Sequence, residues 1–291
     1  MKNLFSKSMG YTILPLLLMC FSSQPLWASA ALPDKSANEL VFGFLPIIST
    51  QKLVARFGPL VDHLAKTLGQ PIRMETAPDY ASFLQRTRDQ RYDILFTAPH
   101  FYYLAQKSAG YTVIARVAAK QLKAIIVARK DRHITSIQDL KGKRLATPDG
   151  LALGTVLARE TLLRFGLRPG KDVQLVQTPS HNASLLSAYN GTTDAAVLMV
   201  PPYKRTPQRM KAEMVEITTT RGVPNMPICV VNTLPRAKAK KIQQTLTGLT
   251  HSAEGKKLLK HLSWPMGFVA ASPAEYQNLG WAIHQLTIPV K

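Results

Sequence analysis

Leu40-Val41-Phe42-Gly43-Phe44-Leu45-Pro46 is an apolar run that ends at a proline. A run of this length beside a turn-forming residue predicts a buried β-strand. Apolar residues then recur at helical spacing up to Gly69, which predicts an amphipathic helix closed by a glycine: Leu53, Val54, Phe57, Leu60, Val61, Leu64 and Leu68. Pro59 lies inside this helix and should kink it or begin its second part.

The alternation of strand and helix patterns continues through the rest of the chain. Further strands are predicted at 72–76, 92–97, 112–117, 122–128, 144–147, 173–178, 194–200, 214–217 and 228–232. Helices are predicted at 80–88, 99–106, 155–165, 236–249, 253–262 and 273–286. This pattern predicts an α/β fold with two lobes, each of which is a mainly parallel sheet flanked by helices.

The first lobe is predicted to be built from two separate parts of the chain and the second lobe from one continuous part. Residues 39–120 begin the first lobe, residues 121–225 form the second, and residues 226–291 return to the first and end in helices. Two crossing strands, near 117–123 and 222–229, should join the lobes.

The N-terminal residues have the layout of a cleaved signal peptide (1–30) followed by a polar leader (31–38). Lys2 and Lys7 precede an apolar stretch at 11–21, and Ala28-Ser29-Ala30 places cleavage near Ala30/Ala31. We therefore expect export to the periplasm. An uncleaved anchor and a lipid on Cys20 are the alternatives, although lipidation would need a small residue at the position of Met19.

Charge and cysteine content narrow the possible partners. The net charge is +20, and removal of Lys2 and Lys7 would leave +18, which favours acidic partners. Nucleic acid does not suit an exported protein, and the scattered basic residues indicate solvated surface, so a small anion is the expected ligand. After export Cys229 would be the only cysteine, in an apolar run that predicts an inert buried thiol.

The sequence contains no recognisable catalytic motif. Gly-x-Ser-x-Gly, Walker A, Gly-x-Gly-x-x-Gly and His-Glu-x-x-His patterns are absent, and the seven histidines are dispersed. We therefore expect no enzyme activity, no cofactor and no metal. The adjacent Tyr102 and Tyr103 could suggest a ferric site, but neighbours on a helix point about 100° apart, so at least one should be core.

Two predicted helix starts lie at the carboxyl ends of strands, where open α/β sheets bind ligands. They are Thr97-Ala98-Pro99-His100 and the stretch from Thr147 to Gly154. Free backbone N–H groups at helix starts can hold an anion, although an ordinary tight turn has the same pattern. His181 opens a third predicted helix, either as a capping residue or as a ligand contact.

Ordered motifs across residues 40–272 resemble a known family. They are Phe42–Pro46, Gly58-Pro59-Leu60, Leu68-Gly69, Ala77-Pro78-Asp79-Tyr80, Tyr92-Asp93-Ile94, residues 140–143, residues 166–170, Ser180-His181 and residues 190–196. Together they resemble the substrate-binding proteins of phosphate, phosphite and phosphonate ABC transporters, a branch of the type II periplasmic binding fold. The resemblance implies a monomeric receptor that closes by a hinge and delivers its ligand to a membrane permease.

Carried over by position, the resemblance implies ligand contacts at Tyr80, at the turn containing Ala98 and His100, and at His181. Other positions depart from the family. Its Ser-Thr-Ser-Gly run, which holds phosphonate oxygens, is matched here by Leu151-Ala152-Leu153-Gly154. Loss of several hydrogen bonds to a charged group would remove most of the affinity, at about 1.5–3 kcal/mol each.

Three further departures concern the rest of the pocket. Pro201 and Met226 occupy the approximate positions at which some family members have acidic residues that read an aminoalkyl group, and a contact aromatic of the family is replaced near Gln121. Aminoalkylphosphonate is therefore disfavoured, and a phosphonate-like oxyanion or a more apolar organic anion is expected.

The sequence thus predicts a solute-binding protein for an ABC importer. The candidate ligand-binding residues are Tyr80, Thr97, Ala98, His100, Gln121, Thr147, Leu151, Ala152, Leu153 and His181. A periplasmic sensor subunit that signals to a membrane protein is the alternative, and an enzyme on the same scaffold is a third.

Overall fold

The fold is described from a computed structural model, in which residues 38–286 are defined. Its strands are β1 (Leu40–Phe44), β2 (Ile72–Glu75), β3 (Ile94–Phe96), β4 (Tyr111–Val117), β5 (Ala124–Arg129), β6 (Arg144–Thr147), β7 (Gln174–Gln177), β8 (Ala195–Met199), β9 (Met214–Thr219), β10 (Pro227–Val231) and β11 (Phe268–Ala270). The signal-peptide and leader predictions lie outside the described residues, apart from position 38.

The helices flank these strands. They are α1 (Thr50–Leu68), α2 (Tyr80–Arg88), α3 (Pro99–Ser108), α4 (Leu153–Arg164), α5 (His181–Tyr189), α6 (Val200–Lys204), α7 (Gln208–Ala212), α8 (Arg236–Gly248), α9 (Ala253–Leu262) and α10 (Gly280–Ile283), with short 3₁₀ turns between some of them. No helix of the described range is both long and apolar enough to cross a membrane.

The strands form two sheets, one per lobe. The first has six strands in the order β11-β4-β10-β3-β1-β2, and the second has five in the order β7-β6-β8-β5-β9. The predicted two-lobed α/β fold is therefore confirmed. The first sheet takes strands from both sides of the segment that builds the second; the predicted lobe boundaries remain a prediction.

Most strands of each sheet run in one direction, as predicted, but both sheets are mixed. β1 is parallel to β2 and β3, and β6 is parallel to β7 and β8. β10 is antiparallel to β3 and β4, β11 to β4, and β5 to β8 and β9. Of the antiparallel strands, β5 follows the first crossing between the sheets and β10 follows the second, whereas β11 comes later in the chain.

Two crossing segments connect the sheets. The chain passes from β4 to β5 through residues 118–123 and returns from β9 to β10 through residues 220–226. Leu122 and Val223 pair within these segments as an isolated antiparallel bridge, with both N···O distances at 2.9 Å. The two connections are therefore hydrogen-bonded to one another, as a paired hinge would require.

The core of the first lobe is rich in aromatic side chains. Phe44 and Phe57 have ring centroids 4.9 Å apart, and Phe57 and Phe96 have theirs 5.3 Å apart. Asp93 is also buried, and its carboxylate accepts a hydrogen bond of 2.8 Å from the Val41 N–H. Cys229 is fully buried in β10, and burial raises the pKa of its thiol.

Pro59 does not divide α1, which is a single helix. A proline has no N–H to donate to the carbonyl four residues earlier, which here belongs to Ala55. His261 of α9 supplies the donor, with its Nε2 2.8 Å from the Ala55 oxygen. Arg56 also donates to the Leu262 carbonyl at 2.7 Å. The backbone group that the proline leaves free is therefore used to attach α9 to α1.

Gly43 is expected to be intolerant of any side chain. A Cβ at this position would lie 2.3 Å from Cγ of Tyr92, whose ring is fully buried. We expect Gly43→Ala to lower the free energy of unfolding by about 1–3 kcal/mol, since overpacking forces a core ring to move. Urea denaturation followed by circular dichroism measures this loss.

Gly248→Ala is the matched control, since a Cβ there meets nothing within 4 Å and the φ of −79° suits any residue. We expect a change within about 0.5 kcal/mol for it. Equal stability of the Gly43→Ala variant and the wild type would contradict the crowding of Tyr92.

Candidate functional site

The first part of the candidate site is the start of α3, directly after β3. Pro99 occupies the first helical turn, where its missing N–H costs nothing. Thr97, Ala98 and His100 are all buried, and the Thr97 N–H donates to the Pro227 carbonyl at 3.3 Å. The Thr97 Oγ1 and the His100 Nδ1 are buried and have no hydrogen-bond partner in the described part of the chain.

The second part is the turn between β6 and α4. Asp149 shapes this turn, because its carboxylate accepts from the Leu151 N–H at 2.8 Å and its carbonyl accepts from the Ala152 N–H at 2.9 Å. The helix begins at Leu153, two residues earlier than predicted. Its first turn therefore lies within the segment that replaces the family's hydroxyl-bearing run.

The predicted contact residues of this turn are all buried, and those at 151–153 are apolar. Thr147 is 2% exposed, Leu151 7%, Ala152 4% and Leu153 8%. None of the three residues at 151–153 has a side-chain hydrogen-bond donor, so this helix start can offer an anion only its backbone N–H groups.

The two parts meet across the lobes. The His100 Nε2 donates to the Leu151 carbonyl at 2.9 Å, a contact between residues 51 positions apart. Since Nε2 carries the proton in the neutral ring, the unpartnered Nδ1 is an acceptor. His100 also lies against Phe101, with ring centroids 4.2 Å apart. The start of α3 and the turn before α4 therefore close directly on each other.

Tyr80 belongs to the same neighbourhood. Its ring lies edge-on to Phe101, with centroids 5.9 Å apart. Burial and, to a lesser extent, the Asp149 carboxylate raise the pKa of Tyr80 to about 12, so its hydroxyl is neutral near pH 7. Phe101 and Asp149 are not among the predicted site residues, although Phe101 directly follows the Thr97–His100 motif and Asp149 lies within the stretch from Thr147 to Gly154.

His181 lies beside the start of α4. Ser180 caps α5, its hydroxyl accepting from the Ala183 N–H at 3.1 Å, so His181 is not itself the capping residue. The His181 Cε1 would lie only 3.2 Å from a Cβ at Gly154. The glycine therefore allows the imidazole to approach the helix, and the buried His181 Nδ1 has no partner among the described residues.

Both histidines of this region are uncharged near pH 7. Burial lowers the pKa of His100 and of His181 to about 4. The region built from Tyr80, Thr97, His100, the 151–153 loop and His181 thus presents neutral groups and helix N-termini, without a charged side chain among them.

Gln121 lies apart from this group in the sequence and in its contacts. It is exposed in the first crossing segment, where its side chain covers Gly222 so closely that a Cβ there would lie 2.2 Å from the Gln121 Oε1. Pro201 is exposed in α6, and Met226 is half-buried at the end of the second crossing segment. The ligand contact of Gln121 remains a prediction.

The two adjacent tyrosines of α3 have separate surroundings. The Tyr102 hydroxyl is buried and accepts from the Val113 N–H at 3.2 Å, whereas Tyr103 faces Gly280 of α10. In the described range, no three histidine, cysteine, aspartate or glutamate side chains form a group that could hold a metal.

Two mixed α/β lobes, joined by paired crossing segments and with helix starts facing each other, define a solute-binding protein of the type II periplasmic class. A family model described as "ABC transporter, phosphonate, periplasmic substrate-binding protein" matches residues 42–276. The chain therefore belongs to the family of periplasmic substrate-binding proteins of phosphonate ABC transporters.

Individual relatives agree with this assignment. The chain is 22% identical to the phosphonates-binding periplasmic protein of Escherichia coli K12 over 249 residues, which cover 81% of this chain and 73% of the relative. A binding-protein component of an ABC phosphonate transporter from Pseudomonas aeruginosa has a TM-score of 0.72 and 21% identity, covering 82% of this chain and 83% of the other.

A third relative was solved with a ligand. PhnD1 from Prochlorococcus marinus MIT 9301, in complex with methylphosphonate, has a TM-score of 0.75 and 17% identity, covering 86% of this chain and 98% of the other. At these identities the two solved structures support the shared fold. Family membership implies a periplasmic location, a small ligand and a membrane permease as partner. These relatives are binding proteins rather than enzymes.

Proposed function

We propose that this protein captures a small phosphonate-like oxyanion or a more apolar organic anion between its lobes and delivers it to the permease of an ABC importer. The observation that carries the proposal is a set of buried polar atoms without partners on both sides of the contact. They are the Thr97 Oγ1 and the His100 Nδ1 in the first lobe and the His181 Nδ1 in the second. Such atoms cost free energy unless a partner arrives.

The proposed pocket favours a ligand that has a low charge and carries some apolar surface. The Tyr80 hydroxyl and the neutral His181 ring can donate hydrogen bonds to an anion, whereas the free His100 Nδ1 can only accept one from a protonated oxygen of the ligand. The starts of α3 and α4 provide partial positive charge. The buried side chains of Leu151, Ala152 and Leu153, at the start of α4, have no hydrogen-bond donor. An anion that carries an apolar substituent satisfies both parts better than bare phosphate does.

Ligand capture requires the lobes to separate first. The hydrogen bond between His100 and the Leu151 carbonyl holds the closed arrangement without a ligand. In the proposed cycle this bond opens, the ligand enters, and the lobes close again about the paired crossing segments, a hinge motion known for periplasmic binding proteins.

Calorimetric titration with phosphite, phosphate, methylphosphonate and phenylphosphonate tests the proposal. We expect phenylphosphonate to bind most tightly, and His181→Ala to weaken it at least tenfold, since a hydrogen bond to a charged group is lost. His251→Ala, an exposed histidine in the first lobe, should bind as the wild type does.

Two results would contradict this function. The first is the absence of heat for all four anions together with no ligand-dependent compaction in X-ray scattering. The second is recovery of a chemically altered ligand, which would indicate an enzyme. A sensor subunit would bind the same ligands, but family membership favours import, and failure to stimulate a reconstituted permease would favour the sensor.

A further inference from the structure

A second concave region lies on the second lobe, beside the first crossing segment. It has a volume of about 650 Å³. Four lysines from three separate pieces of chain line it: Lys120 and Lys123 from the crossing segment, Lys204 from the end of α6 and Lys211 from α7. Sites for small ligands typically enclose about 300–1,000 Å³, so this cavity is large enough for one.

The positive charge around this cavity is not neutralised by the protein. Glu216 is the one carboxylate among its lining residues, which leaves an excess of three positive charges. In residues 38–286 none of the four lysines forms an ion pair with a carboxylate, and the Lys211 Nζ instead donates to the Lys204 carbonyl at 3.4 Å. Like charges gathered around one concavity repel each other, so a bound counter-anion would stabilise them.

The floor of the cavity is more apolar than its lysine-lined rim. Ile125 is 3% exposed and Tyr203 5% exposed, and Val200 lies beside them. Burial, followed by the charge of the nearby Glu216 carboxylate and a hydrogen bond to it, raises the pKa of Tyr203, so its hydroxyl stays protonated. A largely apolar floor with a rim of ammonium groups suits an anion whose charge is spread over several oxygens.

We propose that this lysine cavity is a second anion site, which takes a small compound bearing two or more phosphoryl groups. The proposal goes beyond the function of the cleft, because the two sites differ in charge. The cleft offers neutral donors, which suit a singly charged ligand, whereas the lysine cavity offers four ammonium groups, which suit a ligand with three or four negative charges.

Diphosphate is the probe that tests this site in the full mature chain. We expect one molecule to bind per chain in calorimetry at low ionic strength, with affinity that falls steeply as salt is added. The double variant Lys204→Gln and Lys211→Gln should lower the affinity for diphosphate at least tenfold. Glutamine keeps a hydrogen-bond donor at both positions, so the loss would report charge.

The matched control is Lys240→Gln with Lys241→Gln, which removes the same charge from α8 in the first lobe. This control should bind diphosphate as the wild type does, and the Lys204/Lys211 variant should bind phenylphosphonate as the wild type does. Three results would overturn the proposal: no diphosphate binding to the wild type, equal losses in both double variants, or loss of diphosphate binding in His181→Ala, which would place diphosphate in the cleft.

Discussion

A triple substitution, Leu151→Ser with Ala152→Thr and Leu153→Ser, is expected to raise the affinity for methylphosphonate about a thousandfold. The turn before α4 already has its backbone N–H groups in place, and the family's phosphonate-holding run supplies hydroxyls at these three positions. Each hydrogen bond to a charged group contributes about 1.5–3 kcal/mol, and a total near 4 kcal/mol corresponds to three powers of ten. Calorimetric titration of wild type and variant measures the gain.

The control separates hydrogen bonding from loss of bulk. Leu151→Ala combined with Leu153→Ala removes the same apolar side chains but adds no donor, so it should leave the methylphosphonate affinity within about tenfold of the wild type. An equal gain in the alanine and hydroxyl variants would show that space limits phosphonate binding. The thermal stability of both variants should be measured alongside the titrations, since the two leucines are 7% and 8% exposed and their loss lowers stability.

Acidification from pH 6.5 to pH 4.5 is expected to lower the free energy of unfolding by several kcal/mol. Burial lowers the pKa of His100 and of His181 to about 4, whereas an unfolded histidine titrates near 6.5. Between these values the unfolded chain binds more protons than the folded one, so stability falls as the pH falls. A shift of this size corresponds to at most about 3 kcal/mol for each ring.

Urea denaturation at pH 7.5, 5.5 and 4.5 measures this effect. His100→Gln, which keeps a donor for the Leu151 carbonyl, should lose part of the pH dependence above pH 4.5 even if its stability at pH 7.5 changes. Asp79 and Asp139 have lowered pKa values through hydrogen bonds from backbone N–H groups, and stability that they contribute is lost only as the pH falls below about 4. An unchanged slope in His100→Gln would contradict the neutral buried ring.

Local patterns were sufficient to predict the elements that lie next to the cleft. The proline after β3 and the apolar strand before it predict the start of α3, and the Ser180-His181 pair predicts the start of α5. The positions of the antiparallel strands could not be predicted, because β5 is apolar up to its last residue and β10 is apolar throughout. Such a run looks the same whether its neighbours are parallel or antiparallel.

Contacts between distant residues could not be predicted from the sequence, for a different reason. The bond from His100 to Leu151 and that from His261 to Ala55 each depend on how two lobes or two helices pack, and no spacing in the chain encodes them. The lysine cavity was missed likewise, since Lys120, Lys204 and Lys211 are separated by many residues and look like ordinary surface charge.

The buried thiol of Cys229 has a practical consequence for following ligand capture in solution. It is the one cysteine among the described residues, and a thiol that is enclosed in a sheet and resists deprotonation will not react with maleimide dyes in the folded state. A new cysteine on an exposed rim position would then be the one reactive thiol among residues 38–286. Changes in the emission of a dye attached there would turn this receptor into an optical reporter of its own solute, with no need to remove a native residue first.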